Sequence, residues 1–412
     1  MKTTSNKWLT KFTPMLLLVL FIMIAGMAFM PHEPKAPHQV EQIQDLEVYF
    51  NELTAYGNPS GLTFAVVKDN ELIYNKAFGL ADGPNQISAT TKNVYHWWST
   101  TKIFTAVAIF QLSEQELLNL DDPVSNYLPF FEVQYPSDAS TPITIQHLLN
   151  HSSGLPDNVP AVLGWMHYEG QPARDQTAFL EEVLPDYAKL KFEPGSKAAY
   201  TNVGYMVLGA IIEEASGDTY EDYIRSHILQ PLQMNQTDFV YTESMKSNTA
   251  VGMHPLLDIQ SAFLPVFYGD SLSRLIREVS DGKLWFNLVL ADSNPPTGLI
   301  GPAEDLARFE LAYLNDGELD GQRILSQASV QRMSHESYIS INNKQKEQDA
   351  QGLGWNICGQ QQNLCLERTG GGPGFGNAIR ILPERNLGFV LTANSTMIDR
   401  EAIMDLAMSL DW

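Results

Sequence analysis

Apolar positions recur along this chain at two periods. Residues 39–55 place Val40, Ile43, Leu46, Val48 and Phe50 at helix-like spacing. Two short apolar runs, 62–67 and 72–74, flank Lys68-Asp69-Asn70 in the pattern of a β-hairpin. From residue 99 to 118 the spacing turns helical and strongly apolar on one side, and further helices are predicted near 144–150, 174–184, 203–215 and 219–230. Beyond Gly298 a helix over 303–314 leads into a strand-rich end, with strands at 352–358, 364–368, 378–382 and 387–393 and a last helix at about 400–410. There is no internal repeat. Strands at both ends with helices between them predict an α/β protein of the α+β type. A discontinuous domain, residues 39–100 and 296–412, would hold one mostly antiparallel sheet flanked by helices, and an all-helical domain, 101–295, would be inserted in it. Clefts between such parts are common binding sites.

The first 38 residues carry a different signal. Lys2, Lys7 and Lys11 precede an apolar run over residues 15–30, shorter than the ~20 residues of a spanning helix. A basic segment followed by a short apolar stretch is the pattern of a secretory signal, and Gly26-Met27-Ala28 offers a small-x-small cleavage point after residue 28. The competing reading is an uncleaved N-terminal anchor. Either places the body outside the cytoplasm, in the periplasm or secreted. No Cys follows the run to take a lipid. Residues 29–38 are a Pro-rich linker.

Composition narrows the partners. With 412 residues, 44% hydrophobic and 18% charged, the chain is too apolar to be disordered and long enough for two or three domains, or one large domain with an insertion. Asp and Glu outnumber Lys and Arg 48 to 26, a net charge of −22, which disfavours nucleic acid and anionic membrane surfaces. The only cysteines, Cys358 and Cys365, bracket a polar turn. A cross-hairpin disulfide in an oxidising compartment and a pair of free thiols fit that spacing equally. There is no second Cys pair and no His pair near them to suggest a zinc site.

Candidate chemistry begins at Ser99-Thr100-Thr101-Lys102, at the start of the apolar helix. Residues three apart share a helix face. The helix N-terminus favours a developing alkoxide at Ser99, and a lysine buried beside Trp97, Trp98 and Phe104 can lose its proton and act as base. The tetrapeptide pattern recurs at Ser280-Asp281-Gly282-Lys283, where Asp-Gly marks a turn, so spacing alone does not single out Ser99. Two later motifs do. Tyr200-Thr201-Asn202 opens another apolar helix, and Arg368-Thr369-Gly370 ends a predicted strand and runs into Gly371-Gly372-Pro373-Gly374-Phe375. In that order the three motifs resemble the serine β-lactamase and penicillin-binding protein superfamily, in particular the class C β-lactamase-like branch of β-lactamases, DD-peptidases, D-aminopeptidases and esterases. The segments His147 to Pro156, Asn202 to Gly209 and Ala303 to Phe309 agree with it, and the resemblance covers roughly residues 40 to 412.

The resemblance implies a β-lactamase/transpeptidase-like fold and a set of roles. Ser99 would be the acylated nucleophile, Lys102 its base, and Tyr200 the proton shuttle, as a phenoxide favoured by nearby cations. Asn202 would bind a substrate amide or hold Lys102. Arg368 and Thr369 would contact substrate, and the N–H groups of Ser99 and Gly371 would form the oxyanion hole. No metal or organic cofactor is implied. Arg368 departs from the Lys or His usual in the family. It can anchor a carboxylate but cannot give up its proton.

Other features carry less. His151 ends a helix before Gly154 and Pro156 and reads as structural. There is no Gly-x-Ser-x-Gly elbow, no His-Glu-x-x-His and no dinucleotide glycine pattern. Within 255–296 the runs 263–268 and 284–290 are conspicuously apolar, either a cleft cover favouring an apolar substrate or ordinary core, and base rates favour core. The expected function is a serine hydrolase acting through an acyl-enzyme on an amide, ester or β-lactam carbonyl of a small molecule or peptide. The alternative is a penicillin-binding sensor or cell-wall-binding pseudoenzyme that does not turn over. Oligomeric state is not encoded in any of these patterns.

Overall fold

The computed structural model describes residues 33–157, 164–256, 264, 272–335, 337–339, 350–359 and 364–412. The leader, the apolar run 15–30 and most of 263–268 lie outside them. Among the described residues no helix is long and apolar enough to cross a membrane.

Helix α1 (Ile43–Tyr56) starts with a capping box between Gln42 and Asp45 and stops at Gly57, whose φ of 90° is open to glycine. Strands β1 (Gly61–Lys68) and β2 (Glu71–Asp82) form the expected hairpin around Asp69 and Asn70, both at positive φ. A short β3 (Ile87–Ser88) pairs with β2. The rest of the sheet comes from the far end of the chain. It comprises β4 (Ser337–Ile339), β5 (Ala350–Gly352), β6 (Asn356–Gly359), β7 (Cys365–Gly372), β8 (Phe375–Leu382) and β9 (Leu387–Ala393). The nine strands lie in the order β4-β5-β6-β7-β8-β9-β1-β2-β3, each pair antiparallel. The two ends of the chain thus meet where β1 pairs with β9, Phe64 opposite Leu391.

Alternation along β1 assigns its two faces. Leu62, Phe64 and Val66 pack with Leu46, Phe50 and Leu53 of α1 and with Ile403 and Met404 of the C-terminal helix, Arg400–Ser409. Ala65 and Val67 face the larger core, which includes Phe309 of the helix Ala303–Leu314. Burial on both faces explains why β1 and β9 read as nearly continuous apolar runs. Cys358 and Cys365 are joined by a disulfide across β6 and β7, with their Cα atoms 4.9 Å apart.

Helices α2 (Lys102–Glu114), α3 (Gln176–Tyr187) and α4 (Asn202–Ser216) form the body beside the sheet. The expectation that 99–118 is apolar on one side understates α2, which is buried all round from Lys102 to Leu112. The inserted region also carries short strands that the periodicity did not predict. Met166–Tyr168 pairs with Val289–Ala291, and Met253–Pro255, Lys283–Phe286 and Ile276–Ser280 form a small sheet. Short apolar runs are ambiguous between helix and strand, and Asp281-Gly282, both at positive φ, closes a two-residue hairpin there. Trp285 and Phe286 are buried, Trp285 against Val251 and Met253, which is the core reading of that segment.

Candidate active site

The reacting groups converge where a tight turn meets the sheet. A 3₁₀ turn, Trp98–Thr101, delivers Ser99 and runs directly into α2, so Lys102 follows one turn later on the same face. Trp98 sits at φ 49°, a strained conformation for a bulky side chain. Its ring is locked in place by stacking on His96, centroids 3.8 Å apart, and by the backbone of Gly372. Strain immediately before a reactive residue persists only where packing on every side over-determines it, as here.

Lys102 is fully buried and its Nζ has three neighbours: Asn202 Oδ1 at 2.7 Å, the Pro296 carbonyl at 3.0 Å and Ser99 Oγ at 3.2 Å. Burial, reinforced by the Arg368 guanidinium, holds its amine well below the usual lysine range, and Asp157 opposes the shift. A neutral amine has two hydrogens for the two carbonyl acceptors and one lone pair left for the serine hydroxyl.

Tyr200 donates its hydroxyl hydrogen to Ser99 Oγ at 2.8 Å, with Asn202 Oδ1 3.4 Å away. Burial raises its phenol above the ordinary value although Arg368 pulls the other way. That direction runs against the phenoxide expected from the resemblance, and a phenol that keeps its proton is the form that donates to Ser99 Oγ.

Asn202 is the first residue of α4, and Thr201 caps that helix by accepting from Gly204 N. Asp157 Oδ1 and Oδ2 accept from Asn202 N and Nδ2, both at 3.0 Å. His151 lies behind Tyr200, ring centroids 4.6 Å apart. Its carbonyl accepts from Ala199 N at 2.8 Å and its Nδ1 from Thr201 N at 3.3 Å, so it grips the chain on both sides of Tyr200. Burial together with Arg368 and Lys102 depresses its imidazole far below the usual value, and a neutral Nδ1 acceptor is consistent with that.

Arg368 does not present an open fork to the cleft. It is 2% exposed, its Nε donates to the Ser99 carbonyl at 3.2 Å and its Nη1 to Asn356 Oδ1 at 3.3 Å. Its guanidinium also lies 5.6 Å from the Tyr200 ring centroid. Alternation along β7 points Arg368 inward, so its observed partners are protein groups around Ser99 and Asn356. Thr369 and Gly371 lie on the opposite strand face, half-buried. A side chain at Gly370 would put Cβ 2.0 Å from the Trp97 carbonyl, so only glycine lets β7 lie against the nucleophile turn. Gly371, the next residue, has Arg400 Nη1 beside it, and that guanidinium also donates to Gly370 O at 3.0 Å.

The structure thus brings together Ser99, Lys102, Tyr200, Asn202 and Arg368. Cys358 and Cys365 lie at the other end of β7 and its partner strand. Sequence reading missed Asp157, the Pro296 carbonyl and Arg400. Asp157 directly follows the quoted His147 to Pro156 segment, but nothing in a lone acid after a proline marks it. The second Ser-x-x-Lys copy forms the hairpin turn described above, away from any such cluster.

The Beta-lactamase family model matches residues 48–407. Protein flp of Staphylococcus aureus (strain MW2) is 32% identical over 196 residues, 48% of this chain and 38% of that protein, so the chain spans well under half the length of that relative. A protein of Escherichia coli (strain K12) whose name proposes D-alanyl-D-alanine carboxypeptidase activity is 26% identical over 87% of this chain and 84% of its own length. A solved class C β-lactamase shares the fold, with a TM-score of 0.66 over 90% of this chain and 94% of that one, at 20% identity. The large antiparallel sheet with its flanking helices is the β-lactamase-like fold, and with a family model running from the first helix to the last, this chain belongs to the Beta-lactamase family.

Proposed function

We propose that this protein is a serine hydrolase that cleaves an amide, ester or β-lactam carbonyl through an acyl-enzyme on Ser99. One observation carries the reading: Ser99 Oγ lies within hydrogen-bond reach of both Lys102 Nζ and Tyr200 OH, while the other two directions of the amine are occupied. The Ser99 oxygen attacks the carbonyl carbon and its proton passes to the lone pair of Lys102. The N–H groups of Ser99 and Gly371 take the tetrahedral oxyanion, each donor worth about 3 kcal/mol. The intermediate collapses as Tyr200 gives its proton to the leaving amine or alkoxide and is recharged from Lys102. Water then attacks the ester on Ser99, passes its proton back through the same pair and frees the acid.

Arg368 supports this chemistry as a fixed cation that favours neutral Lys102 and braces the Ser99 carbonyl. The likeness to the Escherichia coli relative favours peptides ending in D-amino acids as the first substrates to try. The apolar run at 15–30 and the Cys358–Cys365 disulfide both support a body that works outside the cytoplasm. The test is hydrolysis of p-nitrophenyl acetate, benzylpenicillin and a D-alanyl-D-alanine peptide by the wild type and Ser99→Ala. At least one should be turned over by the wild type alone; equal rates in both proteins would remove Ser99 from the mechanism.

A further inference from the structure

We propose that Asp157 is a positioning residue that fixes the Asn202 side-chain amide so that its oxygen, not its nitrogen, faces Lys102. The inference rests on the acyl-enzyme reading of the site. An asparagine amide has an acceptor end and a donor end of nearly the same shape. If the amide turned over, Nδ2–H would face Lys102 Nζ and donate into the lone pair that must receive the Ser99 proton. The base would then be quenched without any change in packing.

Asp157 prevents that inversion because an ionised carboxylate only accepts. Its two oxygens take the backbone N–H of Asn202 and the side-chain Nδ2–H, both at 3.0 Å, which leaves Oδ1 directed at Nζ, 2.7 Å away. The carboxylate also sits at the N-terminus of α4, where a negative charge is favoured. The neighbouring segment is tied down independently: Thr201 Oγ1 donates to the Pro156 carbonyl at 3.3 Å and Thr201 N to His151 Nδ1. Asp157 therefore acts on Lys102 in two ways, through the amide and through its own charge. Among the described residues, the charged and titratable groups facing Lys102 are Arg368 from β7, Tyr200 just before α4, Tyr205 from its first turn, His151 from the segment behind them, and Asp157 itself. Asp157 is the one anion among them.

The test measures kcat, KM and the pH profile of ester hydrolysis for the wild type, Asp157→Asn and Asp157→Ala, with Ser99→Ala as control and melting temperature as the check on folding. Both Asp157 variants should lose roughly tenfold to a hundredfold in kcat with KM within about threefold. The acid limb of their profiles should move to lower pH, because the anion that favours protonated Lys102 is gone. In an Asn202→Ala background, Asp157→Asn should add little further loss. A folded Asp157→Asn with wild-type kcat and an unmoved acid limb would overturn the proposal, as would fully additive loss in the Asn202→Ala background. Should Asp157→Ala not fold, the isosteric Asp157→Asn and the double variant carry the test. A Ser99→Ala protein as active as wild type would instead overturn the acyl-enzyme reading itself.

Discussion

Lys102 Nζ lies 2.7 Å from Asn202 Oδ1, a contact that joins the first turn of α2 to the first residue of α4 across 100 positions of sequence. With the Pro296 carbonyl it uses two of the amine's hydrogens and aims what remains at Ser99. Replacing Lys102 should therefore cost about 10²–10⁴-fold in kcat. Lys102→Arg should be no better than Lys102→Ala, since a guanidinium keeps its proton at any working pH. Steady-state kinetics on a chromogenic ester decide it, and an active Lys102→Arg would show that Lys102 is not the base.

The pH dependence follows from the same groups. Activity should rise as Lys102 loses its proton, below the range of an ordinary lysine, because burial and Arg368 both disfavour its charge. Removing the cation in Arg368→Met lets Lys102 hold its proton more tightly, so the acid limb of kcat/KM should move to higher pH. That is opposite in sign to the Asp157 variants. A limb that stays put in Arg368→Met would mean that Arg368 has no electrostatic hold on the base.

Gly370 carries a purely steric prediction. A methyl group there meets the Trp97 carbonyl, a backbone atom that cannot swing away. Gly370→Ala must push β7 off the nucleophile turn and with it the Gly371 N–H. We expect kcat/KM to fall by at least about tenfold, one oxyanion donor's share being 10²–10³, in a protein whose circular dichroism still reports the native sheet. Wild-type kinetics in Gly370→Ala would show that this approach is not needed.

Glu310 makes a prediction about stability instead. It is completely buried on the helix Ala303–Leu314, close to Gly388 of β9, and burial raises its carboxyl pKa well above the usual range. A raised folded-state pKa means the native state keeps a proton that the unfolded chain releases. The stability contributed is complete below the unfolded value and is lost as pH rises towards the folded one, at roughly 1.4 kcal/mol per pH unit within that window. Glu310→Gln should match the wild type at acid pH and become progressively more stable than it towards neutral pH. Urea denaturation at several pH values measures the difference, and a gap that does not change with pH would contradict it.

Much of this architecture was legible because its signals are local. The β1–β2 hairpin follows from two apolar runs around Lys68-Asp69-Asn70, and β7, β8, β9 and the last helix follow from alternation and spacing, whereas the strand expected over 352–358 is broken between Gly352 and Asn356. The motif residues Ser99, Lys102, Tyr200 and Asn202 could be named because three short motifs, taken in order along the chain, resemble those of a known superfamily. What could not be read depends on distant contacts. The small sheet at 253–286 rests on pairing between short apolar runs that fit a helix equally well. Arg368 was read from its charge, whereas its partners are set by the strand face on which it falls. Asp157 and the Pro296 carbonyl acquire their meaning only when three separate segments meet at Lys102.

The most direct test of the central claim is time-resolved intact-mass spectrometry after mixing the protein with benzylpenicillin, with p-nitrophenyl acetate and with a D-alanyl ester, each beside Ser99→Ala. The account predicts a mass gain on the peptide containing Ser99 with at least one reagent, absent from the variant. A gain that persists would mark slow release, as in a penicillin-binding sensor, and a transient gain with product would mark turnover. An adduct that forms equally in Ser99→Ala, or no Ser99-dependent adduct with any of the three, would contradict it.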